Sequence, residues 1–181
     1  MKTNYQKLLI VLAVALLALG GCKKDKVVDP EPIETTAEHK HIRLLVSDEL
    51  TNQLSLIDPS TGKVEAFTAK HPKAALYATA SGRYATLIHG GFNFVENFDS
   101  GLEFHGDHVD VKNNAKFAAL TGDANRPTHF KTKGNEIITF NDGDGTLSVA
   151  NETNFNVAGA KMQTINAGNA AHHGAMTKFD N

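Results

Sequence analysis

The chain has 181 residues, with 20 acidic against 18 basic side chains, nine His, one Cys and no Trp. Nothing in that balance makes the basic patch that nucleic acid requires. A lone cysteine allows neither an internal disulfide nor a thiolate metal site, so any metal chemistry falls to His and carboxylates.

Lys2 and Lys7 precede an apolar run of twelve residues, Leu8 to Leu19. Twelve helical residues rise about 18 Å, too little for a bilayer core of roughly 30 Å. A short apolar run behind lysines and closed by small residues is the pattern of a secretion signal. Leu19-Gly20-Gly21-Cys22 resembles the lipobox of bacterial lipoproteins, which implies a signal peptide over residues 1–21 and lipidation of Cys22. Lys23 at the next position resembles lipoproteins sent to the outer membrane. The expected location is the cell envelope, lipid-anchored in the outer membrane and facing the periplasm or the cell surface. Loss of Lys2 and Lys7 leaves 16 basic residues against 20 acidic, a net charge of −4.

Residues 22–41 are polar and carry Pro30 and Pro32, so they read as a flexible tether. His39 and His41 on it read as solvated side chains. Residues 42–181 form the body, long enough for one domain. Its signals are strands and turns. Ile42 to Val46 and Gln53 to Ile57 flank a polar turn, and Asp58-Pro59-Ser60-Thr61-Gly62 closes the second strand. Tyr84 to Ile88 leads on to Phe92 to Val95, and Glu136 to Phe140 turns through Asn141-Asp142-Gly143-Asp144-Gly145 into Thr146 to Val149. Asp-Gly between β-rich runs is a hairpin signal. No stretch of the body keeps a helical period.

The hairpins recur. Leu44-Leu45-Val46-Ser47-Asp48, Ala85 to His89 and Ile137 to Asn141 read as equivalent, spaced by about 40 residues and then by about a dozen more. A four-stranded unit at that period predicts β-propeller blades, about three plus the start of another, in an all-β, incomplete ring. The surplus falls near Gly101 to Asn114 and reads as an insertion between blades.

Within that insertion, Glu103-Phe104-His105-Gly106-Asp107-His108-Val109-Asp110 gathers two His, two Asp and a Glu. Imidazole and carboxylate are the ligands Zn²⁺ takes when thiolate is absent. A polar loop with chance histidines explains the stretch equally well. A second set comes from the repeat. His71 precedes one inner strand, His129 stands at the next, and His172 and His173 follow 43 and 44 residues later. Equivalent positions of successive blades converge on one mouth of a ring, so the expectation is a shared cluster there, with the His105–His108 loop closing over it. Hydrogen bonding between blades is the competing use of these imidazoles. Asp142-Gly143-Asp144-Gly145 fails as a calcium loop, because Asn151 stands where the loop's closing Glu is needed. No nucleophile with its base, phosphate loop or dinucleotide fingerprint occurs, and the chain does not read as an enzyme.

Leu45-Val46-Ser47-Asp48, Gly82-Arg83-Tyr84, His105-Gly106-Asp107-His108, Arg126-Pro127-Thr128-His129-Phe130, Asp142-Gly143-Asp144-Gly145 and His172-His173-Gly174 occur in that order. Together they resemble the periplasmic zinc metallochaperones of the AztD type, β-propellers that pass zinc to the binding protein of an ABC importer. The resemblance spans about Arg43 to Gly174 and implies Zn²⁺ as the ion. It also implies His105, Asp107 and His108 as ligands on a mobile loop, with His129, His172 and His173 at the channel mouth. The implied partner is the periplasmic zinc-binding protein of the importer. Family members are usually longer, complete rings and soluble, so this chain looks like an N-terminal portion with an added lipid anchor. The alternative reading is an envelope propeller that binds a protein or glycan and uses its His structurally.

Overall fold

The computed structural model describes residues 41–168, which hold thirteen strands, two single turns of 3-10 helix and no other helix. The signal segment, Cys22, His39, His172 and His173 lie outside the described residues. The first sheet is β1 (Leu44–Ser47), β2 (Gln53–Asp58) and β3 (Lys63–Thr68), antiparallel in that order. Next come β4 (Ala75–Ala78), β5 (Tyr84–His89) and β6 (Phe94–Asp99), then β7 (Leu102–His105) and β8 (His108–Val111), then β9 (Lys116–Asp123). β4, β5, β6 and β9 make the second sheet, while β7 and β8 pair only with each other. β10 (Pro127–Lys133), β11 (Glu136–Asn141), β12 (Thr146–Asn151) and β13 (Gln163–Asn166) make the third. These are blades of a β-propeller, stacked face to face in an open array.

Alternation builds the array. On β2, Leu54 and Leu56 point one way and are nearly sealed from water. They meet Leu87 and Phe98 of the second blade, with Phe67 and Leu76 packed around them. Phe98 takes Phe67 and Phe117 edge-on at 4.9 and 5.4 Å between centroids. The second and third blades share another core, formed by Ala118 and Leu120 of β9, Ile137 and Ala150 of the third blade, and Phe155. Each fully buried Leu or Phe is worth about 1.5–3 kcal/mol, so two such layers hold three thin sheets in register.

Two expectations are corrected here. The insertion does not separate blades. β9 pairs with β6, placing Asp99 opposite Lys116, so the β7–β8 hairpin sits inside the second blade, between its third and fourth strands. The first repeat was also out of step. Leu44–Ser47 is the first strand of its blade, whereas Tyr84–His89 and Glu136–Asn141 are second strands, and their counterpart is Gln53–Asp58. Leu44 to Ser47 and the true second strand are both short apolar runs, and only pairing distinguishes them. The turn Asp142 to Gly145 does join β11 to β12, with Asn141 opposite Thr146.

Register defines two ends of the second blade. His89, Phe94 and Asp123 lie at one, and Ala78, Tyr84, Asp99 and Lys116 at the other. The third blade follows suit. The Arg126 N–H, just before β10, donates to Asn93 Oδ1 at the His89 end, while the Ala80 N–H donates to Thr132 Oγ1 at the other.

Candidate functional site

His105 and His108 face each other across the β7–β8 hairpin, with ring centroids 5.8 Å apart. The reason is local. Gly106-Asp107 is a two-residue turn, and Gly106 takes φ 61° at its first position, where a β-carbon would be strained. The turn puts the two flanking histidines directly opposite one another. Leu102 and Val109 bury one side of the hairpin, and Phe104 lies over Gly82 of the β4–β5 turn. Both imidazoles remain about half exposed.

Carboxylates surround the pair. His105 Nε2 lies 3.1 Å from Glu103 Oε2, and His108 Nδ1 lies 2.9 Å from Asp107 Oδ1. Asp110 Oδ2 sits between the rings, 3.8 Å from His105 Nε2 and 3.6 Å from His108 Nε2. The bond to Asp107, reinforced by the charge of Asp110, raises the His108 pKa above its ordinary value. The same bond lowers Asp107. Lys112 Nζ reaches Glu103 Oε1 at 2.5 Å and, with His105, lowers that carboxyl too. Each imidazole thus already has a carboxylate partner. Among the described residues no three His, Cys, Asp or Glu side chains are drawn together closely enough to hold a metal ion. A zinc ion could take the nitrogen that each carboxylate leaves open, His108 Nε2 beside Asp110 among them, with Asp107 kept on Nδ1. The donors would have to draw inward, since zinc–nitrogen bonds are about 2.0–2.1 Å.

His129 does not join this pair. It lies on β10 next to Phe140, their ring centroids 6.2 Å apart, in the half of the blade toward Pro127 and Asn141. The hairpin leaves the second blade beside Asp99, at the opposite end. The expected closure of the His105–His108 loop over His129 is therefore not found. Sequence spacing could not reveal this, because an insertion after a third strand and one after a fourth strand emerge at opposite ends of a blade.

The His89 end holds a cluster of which the sequence reading named His71 but not the His89–Glu96 pair beneath it. His89 is fully buried at the end of β5, its Nε2 2.9 Å from Glu96 Oε1 and its Nδ1 3.4 Å from the Pro72 carbonyl. Glu96 Oε1 also accepts the Lys70 N–H at 2.9 Å. His71 covers the pair, edge-on to His89 at 5.6 Å and stacked on Phe92 at 4.7 Å. The third blade repeats the diagonal contact with smaller groups, Asn141 Nδ2 donating to Ser148 Oγ at 2.8 Å. The sequence signal was a period-two strand ending in His, followed by Glu on the next strand, and it becomes informative only when the register is known.

Among solved structures, the apo form of AztD from Citrobacter koseri matches this chain with a TM-score of 0.67 and 26% identity, over 77% of this chain and 37% of that one. A second crystal structure of Citrobacter koseri AztD matches with a TM-score of 0.67 and 28% identity, over 77% and 38%. The structural relationship is to AztD. The chain spans under two fifths of the length of these AztD chains, and the open blade array agrees with that share. No protein-family model and no curated protein matches the sequence.

Proposed function

We propose that this chain is the blade-bearing part of a zinc-binding envelope protein, anchored through lipid on Cys22, that passes zinc to the binding protein of an ABC importer. The observation that carries the reading is the similarity to AztD in both fold and sequence. The hairpin supports it chemically. Two imidazoles, Asp110 and Glu103 or Asp107 make a donor set of nitrogen and oxygen that suits Zn²⁺. The set is exposed, and carboxylates already engage the rings. A carboxylate on one nitrogen orients the ring for an ion at the other, and the exposure of the set leaves that ion open to transfer. His129, which lies at the opposite end, would serve a second position, to which the resemblance adds His172 and His173.

A competition titration with a chromogenic chelator tests this reading. The parent should take up zinc, and His105→Ala combined with His108→Ala should weaken it about tenfold or more, since the loss of even one supporting group is worth about that factor. Equal affinity in parent and double variant removes the hairpin from the site. No uptake by the parent overturns the zinc reading for this chain.

A further inference from the structure

At the His89 end, an open cleft of about 520 Å³ lies between the second and third blades, walled by Lys73, Gly90, Gly91, Asn93, Arg126 and Asp142. We propose that this cleft binds a carboxylate group.

The backbone gives the first reason. Among the described residues, the non-glycine positions with left-handed backbone are Lys73 at φ 58°, Asn93 at φ 57° and Arg126 at φ 56°. All three line this cleft. For lysine and arginine that conformation costs about 1–2 kcal/mol each, and such strain persists only where the surroundings impose it. Arg126 is fixed on both sides. Its N–H donates to Asn93 Oδ1 at 2.9 Å, and its carbonyl accepts the Asp142 N–H at 3.0 Å and the Thr128 hydroxyl at 2.9 Å. Gly90 abuts the Pro127 carbonyl so closely that a β-carbon would come within 2.8 Å of it, which brings the two blades together at the floor.

Charge gives the second. Lys73 and Arg126 come from different blades and flank one space. Lys73 is exposed and pairs with no acidic group among the described residues. Arg126 is 65% exposed and 3.5 Å from Asp142 Oδ2, a long contact that leaves most of its five donors unused. Asp142 is buried, so the lining carries two positive charges and one negative. A single carboxylate neutralises it, and the guanidinium fork matches carboxylate geometry. A phosphate dianion would overcompensate and face Asp142. The site owes nothing to zinc.

The test uses amide NMR spectra of the full 181-residue chain labelled with ¹⁵N, in metal-free buffer at constant ionic strength. Propionate, an N-acetylated tetraglutamate peptide and inorganic phosphate are the probes. Propionate or the peptide should shift the Gly90 and Gly91 amides saturably below about 50 mM, and phosphate should bind more weakly. A peptide that binds about tenfold more tightly than propionate assigns the cleft to acidic side chains of a protein partner. Equal affinities assign it to a free small carboxylate. Lys73→Gln, at an exposed position, and Arg126→Gln should each weaken binding about fivefold or more. No saturable shift with either carboxylate, or shifts that both variants leave unchanged, overturns the proposal.

Discussion

Two pairs of imidazole and carboxylate in this molecule have the same separation and opposite surroundings. His89 and Glu96 stand 2.9 Å apart with side chains 0% and 8% exposed, and His108 and Asp107 stand 2.9 Å apart at 51% and 92%. Distance alone would rank them equal. Burial separates them, because water screens the outer pair and competes for its hydrogen bonds, whereas the inner pair has only protein to satisfy it. The inner pair ties β5, β6 and the chain at Lys70 and Pro72 into one joint. The outer pair holds only a hairpin tip, and its atoms stay open to an incoming ion.

The comparison breaks first if the inner pair proves dispensable. Glu96→Ala should cost about 3 kcal/mol in a urea unfolding titration, since it strands both a buried imidazole and the Lys70 N–H. A loss below about 0.5 kcal/mol would place the two pairs in one class. Arg83→Ala should cost about 2 kcal/mol by the same measurement. Arg83 donates to both oxygens of Asp99 at 2.9 Å, and Asp99 is almost wholly buried. Burial alone would raise the Asp99 pKa, but bonds from Arg83, the Gly101 N–H and Asn156 hold it below its ordinary 3.8. With the folded value depressed, the stabilisation from Asp99 is present above pH 3.8 and is lost as pH falls through the folded value. In Arg83→Ala much of that acid sensitivity should vanish from the pH dependence of stability.

At the hairpin the effects shrink. Gly106→Ala forces a β-carbon onto φ 61° and should cost about 1 kcal/mol, read locally as faster hydrogen exchange in β7 and β8 with the blades unchanged. Asp107→Asn should lower the His108 pKa in an NMR titration without changing the unfolding midpoint. His108 is raised chiefly by its bond to Asp107, so whatever stability it contributes is present at low pH and fades as pH rises through the raised value. If the His108 titration is unmoved in Asp107→Asn, Asp110 is its main partner.

What sequence could reveal followed the range of each interaction. Hairpins with a local turn signal were readable: Asn141 to Thr146 closes through Asp-Gly residues, and β1 to β2 through a polar turn. The blade architecture was read from their recurrence, of which the match of Tyr84–His89 to Glu136–Asn141 holds and that of Leu44–Ser47 to either does not. The place of the insertion was hidden, because β9 returns to β6 across residues whose own strands pair elsewhere. His-Gly-Asp-His was readable as a ligand-type stretch, yet its two-residue turn with glycine first also marked a hairpin, which fixes the histidines opposite each other. The His89–Glu96 contact was unreadable, since a diagonal pair exists only once register is set. The strain at Lys73 and Arg126 lies in backbone angles that no composition rule marks at a cationic residue.

The hairpin's position inside a blade has a consequence for how such a protein changes over time. Asp99 and Lys116 are ladder neighbours, so the segment between them leaves and rejoins the sheet at nearly the same point. Closing a loop on adjacent strands costs little more for a long segment than for a short one, about 0.6 kcal/mol for each doubling of length. The tip of that segment, residues 105–108, is therefore a module that can be lengthened, shortened or exchanged while β6 and β9 keep their ladder and Leu102, Val109 and Ala115 keep their packing. Lineages sharing these blades are free to differ most there, and a grafted hairpin with other ligands would inherit an intact scaffold.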